Sequence, residues 1–188
     1  MPPKQKITKA ELVEAGLSVV RECGPAALNA RSLAARLACS TQPIFSNFET
    51  MAELEAAVRE AAYAYYLSCL EREAREGRYP PYKAFGMAYI RFAREERELF
   101  KLLFMCDRTG VPQAEAPDFS ASIEMIREAN HLPYEVAERM HLEMWSCVHG
   151  IGVMLATSFL DLGEEVISRM LSDVYRGLQG AHREEAGV

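Results

Sequence analysis

The chain has 188 residues and a mass of 21.1 kDa. That length suits one compact domain, or a small domain joined to a larger one, and buries about 70% of the unfolded surface without help from disulfides or metals. A hydrophobic fraction of 49% and a charged fraction of 26% exclude a collagen-like or wholly disordered chain. The formal net charge of −6 argues against a nucleic-acid partner for the chain as a whole, yet the charge is uneven: residues 1–48 carry six cations (Lys4, Lys6, Lys9, Arg21, Arg31, Arg36) and three acids (Glu11, Glu14, Glu22), whereas the remainder carries 15 cations and 24 acids.

Apolar residues recur at helical spacing almost throughout, and no segment reads as a strand. Ile7, Ala10, Val13, Leu17 and Val20 line a first helix, which Gly24-Pro25 ends. Asn29 is placed to cap a short second helix carrying Leu33, Ala34 and Leu37. Ser40 is expected to cap a third, with Pro43 in its first turn. Thr50 and Glu53 form a T-x-x-E capping box before a long fourth helix that runs to about Gly77. Pro80-Pro81 breaks the chain, and helices are expected over 82–96 and 97–107. A loop covers 108–118, followed by a helix near 119–130, a helix from Pro133 to about Leu160, and a last one from Glu164 to about Leu178. The expected fold class is all-α with about nine helices. A domain boundary is expected near residue 52, dividing residues 1–52 from residues 53–188.

Five widely spaced cysteines without a CxxC pair read as reduced thiols rather than a disulfide framework. The N-terminus lacks the apolar run of a signal peptide. Met144–Leu160 has no Asp, Glu, Lys or Arg, but it is too short for a membrane span and contains His149. A cytoplasmic protein is the expectation.

Residues 28–48, LNARSLAARLACSTQPIFSNF, read as two short helices joined by a tight turn around Leu37–Ser40. That is the pattern of a helix-turn-helix whose second helix enters the DNA major groove. The reader is short and uncharged. Thr41, Gln42, Ser46 and Asn47 offer hydrogen bonds to base edges or phosphates, Pro43 offers apolar surface to a thymine methyl, and Ile44 and Phe48 have the spacing to pack inward. Basic residues flank it: Lys4, Lys6 and Lys9 before, Arg31 and Arg36 beside. Phosphate contacts would then position the reader and base contacts specify the sequence.

At these residues the stretch ITKAELVEAGLSVVRECGPAALNARSLAARLACSTQPIFSNFETMAEL resembles the tetracycline-repressor-like family of bacterial regulators. The segment PYEVAERMHLEMWSCVHGIGVMLATSFLDLGEEVISRMLSDVYRGL resembles C-terminal parts of one branch, in which the last two helices pair with their counterparts in a dimer. The resemblance implies a ligand-responsive repressor of a double-stranded, pseudo-palindromic operator. It implies a homodimer whose interface includes Gly150, Val153, Met154, Thr157, Ile167, Met170, Leu171 and Val174. Phe45 stands where many members carry a phosphate-bonding tyrosine, and Met51 where many carry a lysine. Each lost phosphate cation lowers the salt slope by about 0.9.

Aromatic and thioether residues of the middle helices, among them Phe85, Tyr89, Phe104, Met105, Met125 and Trp145, can line an apolar effector cavity, with Tyr89 or His149 orienting the ligand. His141, Cys147 and His149 do not have the spacing of a metal-ligand pair on one helix. Gly150-Ile151-Gly152 has no preceding strand and no third glycine, which excludes a dinucleotide loop. Without a G-x-S-x-G elbow, catalysis has little support, and no cofactor is implied. The second reading is a helical small-molecule carrier or enzyme whose N-terminal segment is only structural.

Overall fold

The structure is a computed structural model and describes residues 7–107, 109 and 118–187. Among them it is all-helical, with nine α-helices: α1 (Lys9–Cys23), α2 (Ala30–Arg36), α3 (Gln42–Asn47), α4 (Met51–Glu76), α5 (Pro81–Glu95), α6 (Arg97–Phe104), α7 (Ser120–Asn130), α8 (Tyr134–Ala156) and α9 (Glu164–Ala186). The chain forms two compact units. One holds the residues up to Ser68 together with Glu96–Cys106, and the other holds Cys69–Glu95 with the residues from Asp107 onward. The first part of α4 belongs with α1–α3, and α6 returns to pack on α1.

In the first unit, α1 opens on a capping box. The Glu11 backbone N–H donates to Thr8 Oγ1 at 3.2 Å and the Thr8 N–H to the Glu11 carboxylate at 2.8 Å. It closes on Gly24, whose N–H donates to the Val20 carbonyl and whose φ of 85° favours glycine. Leu12, Val20, Leu33, Ile44, Leu54, Val58, Leu99 and Phe100 are fully buried. Each such side chain contributes roughly 1.5–3 kcal/mol of apolar burial. Gly16 lets α1 lie close to α4, since a Cβ at that position would sit 2.5 Å from Val58 Cγ2. The Arg21 guanidinium pairs with Glu96 at 2.9 Å, joining α1 to the residue before α6.

In the second unit, α8 packs against α5, α7 and α9. Met87, Ala88, Ile90 and Ala93 of α5 and Met140, Met144, Val148, Ile151 and Leu155 of α8 are all buried where these two helices pack. Ile123, Ile126, Leu132, Ala137 and Met140 form an apolar cluster under α7. The Glu73 carboxylate, 3% exposed, accepts from Arg91 and Arg78, and Arg91 also reaches Glu164 at 2.9 Å. This pairing satisfies a buried charge that would otherwise be costly.

Three boundaries differ from expectation. The cap of α3 is Thr41 rather than Ser40, and it makes no side-chain cap bond. Pro43 has no N–H to offer, and the Ile44 N–H already donates to the Thr41 carbonyl at 3.1 Å, so no donor remains for a cap. Helix α8 stops at Ala156, where Ser158 takes a left-handed φ of 57° and Phe159 N–H donates back to the Met154 carbonyl. Helix α9 continues eight residues past Leu178, through Gly180, because its distal turns are tied to neighbours: Gln179 donates to Asn130 at 2.7 Å, and His182 lies 2.6 Å from Glu143. The expected loop 108–118 falls almost wholly outside the described residues.

Candidate functional site

The reader is built from the cap of α2 onward. Asn29 Oδ1 accepts from the Arg31 and Ser32 backbone N–H groups at 3.0 and 3.1 Å, and Ser32 Oγ returns to the Asn29 N–H and the Ala27 carbonyl. This fixes the start of α2. Its end turns through Ala38 in the left-handed region (φ 48°), with Cys39 N–H donating to the Ala34 carbonyl at 2.9 Å. Buried Leu33 and Ala34 on α2, with buried Ile44 and Phe48 at α3, anchor the pair. The opposite face of α3 is therefore presented to solvent.

On that face Thr41, Gln42, Phe45 and Ser46 are exposed, Phe45 at 51%, and Pro43 is half-buried. Ser40 and Arg31 are exposed beside it. The Ser46 hydroxyl donates to the Gln42 carbonyl at 2.9 Å, so its oxygen remains available only as an acceptor. Asn47 is turned inward. Its amide nitrogen donates to the Pro43 and Ile7 carbonyls at 2.8 and 3.2 Å, which makes it a tie within the unit rather than an open donor. Two flanking cations are also engaged. Lys9 pairs with Glu53 at 3.2 Å and sits over the Phe48 ring, and Arg36 pairs with Glu22 and Ser18. Lys4 and Lys6 lie outside the described residues.

The expected ligand residues are divided between the two units. Phe104 and Met105 belong to the first unit, where Phe104 meets Tyr66 with ring centroids 5.1 Å apart and Met105 is exposed. Phe85, Tyr89, Met125, Trp145 and His149 belong to the second unit. There the Tyr89 hydroxyl lies 2.7 Å from His149 Nδ1, its ring meets Trp145 edge-on at 4.8 Å, and Trp145 stacks on His149 at 5.7 Å. Phe119 and His141 complete the ring cluster, and neither was in the expected set. The signal was present in the sequence: His141, Trp145 and His149 stand four residues apart, which places them on one helix face. Among the described residues no group of His, Cys, Asp and Glu is arranged to hold a metal. A separate cleft of about 620 Å³, lined by Ala10, Val13 and Leu17 of α1 and Ala56 and Ala57 of α4, was not foreseen.

The expected dimer residues divide in two. Ile167 and Leu171 are buried within the chain itself, on the face of α9 that packs in the second unit, where Leu171 lies against Gly86 of α5. Gly150, Val153, Met154, Met170 and Val174 are half-buried, and Thr157 is exposed. A Cβ on Gly150 would meet nothing within 4 Å. Phe159 (76%), Leu160 and Val166 are exposed after the end of α8 and at the start of α9, and Leu142 is exposed on α8.

The first unit thus holds a short helix pair with a polar outward face, and the second unit is a helical bundle. The family model for the tetracyclin repressor-like C-terminal domain matches residues 82–176. The chain belongs to the tetracycline repressor-like family. No curated protein matches it. Among the described residues no helix is long and apolar enough to cross a membrane.

Proposed function

We propose that this family member is a sequence-specific DNA-binding transcriptional repressor, released from its operator by a small-molecule effector. The observation that carries the reading is the two-sided α3: Ile44 is wholly buried beneath it, while Thr41, Gln42, Phe45 and Ser46 are exposed, in a helix pair whose first member is capped by Asn29. Such a helix enters the major groove, where Gln42 is suited to an adenine edge and the Phe45 ring and Pro43 to a thymine methyl. Ser40, Arg31, Lys4 and Lys6 supply the positioning contacts to phosphate. With Lys9 and Arg36 already paired to acids, the salt dependence is shallow.

The protein acts as a two-fold homodimer through the strip formed by Gly150, Val153, Met154, Thr157, Met170 and Val174 with exposed Phe159 and Val166. Isologous pairing of two copies reads a pseudo-palindrome with half-sites about 34–36 Å apart or a multiple of that. An effector that binds better to the form unable to reach that spacing shifts the population off DNA.

The test is fragment selection from genomic DNA with purified protein, followed by mobility-shift titration. Salt-sensitive binding to a palindrome is expected. Gln42→Ala changes the preferred sequence, whereas Lys6→Ala weakens binding about equally on every sequence. Binding to no fragment at any salt concentration would reject the reading.

A further inference from the structure

Helix α8 carries His141, Trp145 and His149 on one face, and two tyrosines of α5 meet the histidines in matching fashion. The Tyr82 hydroxyl lies 3.0 Å from His141 Nδ1, as Tyr89 does at 2.7 Å from His149 Nδ1. Phe119 lies against both His141 and Trp145, with ring centroids 4.8 and 5.2 Å apart. His141 is 5% exposed, and its Nε2 is buried without a hydrogen-bond partner. Leaving such a buried atom unpaired is costly, so the orphan asks for a reason.

The tautomer follows from Tyr82. Burial pushes its phenol well above the usual range, so it keeps its proton. Among the described residues the Tyr82 hydroxyl has a single hydrogen-bond partner, His141. Were the imidazole proton on Nδ1, the phenol O–H would have no acceptor among the described residues. The arrangement that satisfies the pair has Tyr82 donating to Nδ1, which leaves the imidazole proton on Nε2. The unpartnered atom is thus an N–H donor. Burial lowers the pKa of both His141 and His149, which favours neutral rings. The six ring residues Tyr82, Tyr89, Phe119, His141, Trp145 and His149 include no carboxylate and no fixed cation. Phe119 and Trp145 are only half-buried, so the cluster has a side open to solvent.

We propose that the Nε2–H of His141 is the polar anchor of the effector site, and that the effector is an uncharged, flat, mainly aromatic molecule presenting one acceptor oxygen, in the chemical class of aryl ketones and aryl esters. This rests on the ligand-responsive reading above and names the ligand chemistry of that site. Phe119 and Trp145 supply ring faces, and His141 selects for the oxygen.

The test is equilibrium dialysis of the intact protein against 2-acetylnaphthalene and 2-ethylnaphthalene, which share the ring system and differ at the acceptor. The parent protein is expected to bind the ketone at least about tenfold more tightly than the hydrocarbon. In His141→Phe the ratio falls to near one while hydrocarbon affinity stays within about twofold. Tyr82→Phe releases the tautomer and lowers the ratio as well, which decides the matter should His141→Phe fail to fold. A parent ratio near one, no binding of either probe, or a ratio undiminished in a folded variant overturns the proposal. Mobility shifts on the same preparations separate the two readings. Probe discrimination without DNA binding removes the repressor and leaves the anchor, whereas DNA binding without discrimination removes the anchor alone.

Discussion

Asn47, the last residue of α3, donates its amide to the carbonyl of Ile7, forty residues earlier, at 3.2 Å, and to Pro43 at 2.8 Å. The reader is thereby tied to the segment that leads into α1. Asn47→Ala is expected to destabilise the protein by about 1–2 kcal/mol, at roughly 1 kcal/mol per half-buried hydrogen bond. DNA affinity should fall by the same factor on every sequence, since orientation is lost rather than a base contact. Urea denaturation and mobility shifts on two unrelated sites check this. A change of preferred base would return Asn47 to the reading surface.

Adjacent positions in α3 should behave oppositely. Ile44 is fully buried, so Ile44→Ala is expected to cost about 2–4 kcal/mol. Phe45 is half-exposed, so Phe45→Ala should change stability by no more than about 0.5 kcal/mol while weakening operator binding. Replacing operator thymines with deoxyuridine, which lacks the methyl group, should cost the parent affinity and cost Phe45→Ala less.

Gly16 and Val58 are sterically coupled. Gly16→Ala places a Cβ 2.5 Å from Val58 Cγ2, and the β-branched valine has little freedom to turn away. The expected cost is about 1–3 kcal/mol. In the Val58→Ala background the same change should cost much less, a coupling read from four denaturation midpoints. Additive costs would show that α1 and α4 shift apart instead.

Burial holds the imidazoles of His141 and His149 below their usual pKa. Between the folded value and about 6.5 the unfolded chain then binds more protons than the folded one, so stability is full above about pH 6.5 and declines as the pH falls below it. Denaturation midpoints at pH 7.5 and 5.5 should differ less in His141→Phe than in the parent. An equal difference would mean that His141 titrates alike in both states.

Much of the N-terminal unit was legible, because local signals decide it. Asn29 caps α2, Gly24-Pro25 stops α1 and Thr50 accepts from Glu53 at 3.2 Å, each within a few residues of its partner. The Glu53 side chain, however, returns to the Glu49 N–H and not to Thr50, closing the box one residue early. What was missed depends on long-range packing. Gly177 and Gly180 suggest a stop after Leu178, but contacts of α9 with Asn130, Glu143 and Arg139 carry the helix on to Ala186. The resemblance puts Ile167 and Leu171 at the dimer interface, yet apolar residues on one face of α9 meet the same chain or another copy equally well on sequence grounds. Asn47 looked like a reader because polar residues at a short helix look alike until the backbone returns from elsewhere to meet them. His141 was weighed as a metal ligand, and its aromatic neighbours on α5 and before α7 are distant in sequence.

The chain contains a single tryptophan, Trp145. It lies between Phe119 and Tyr89 and stacks on His149, inside the second unit. Ultraviolet emission at the red edge of excitation, where tyrosine is dark, therefore reports on one spot alone. Rearrangement of that ring stack can be followed in real time without a dye or an engineered label.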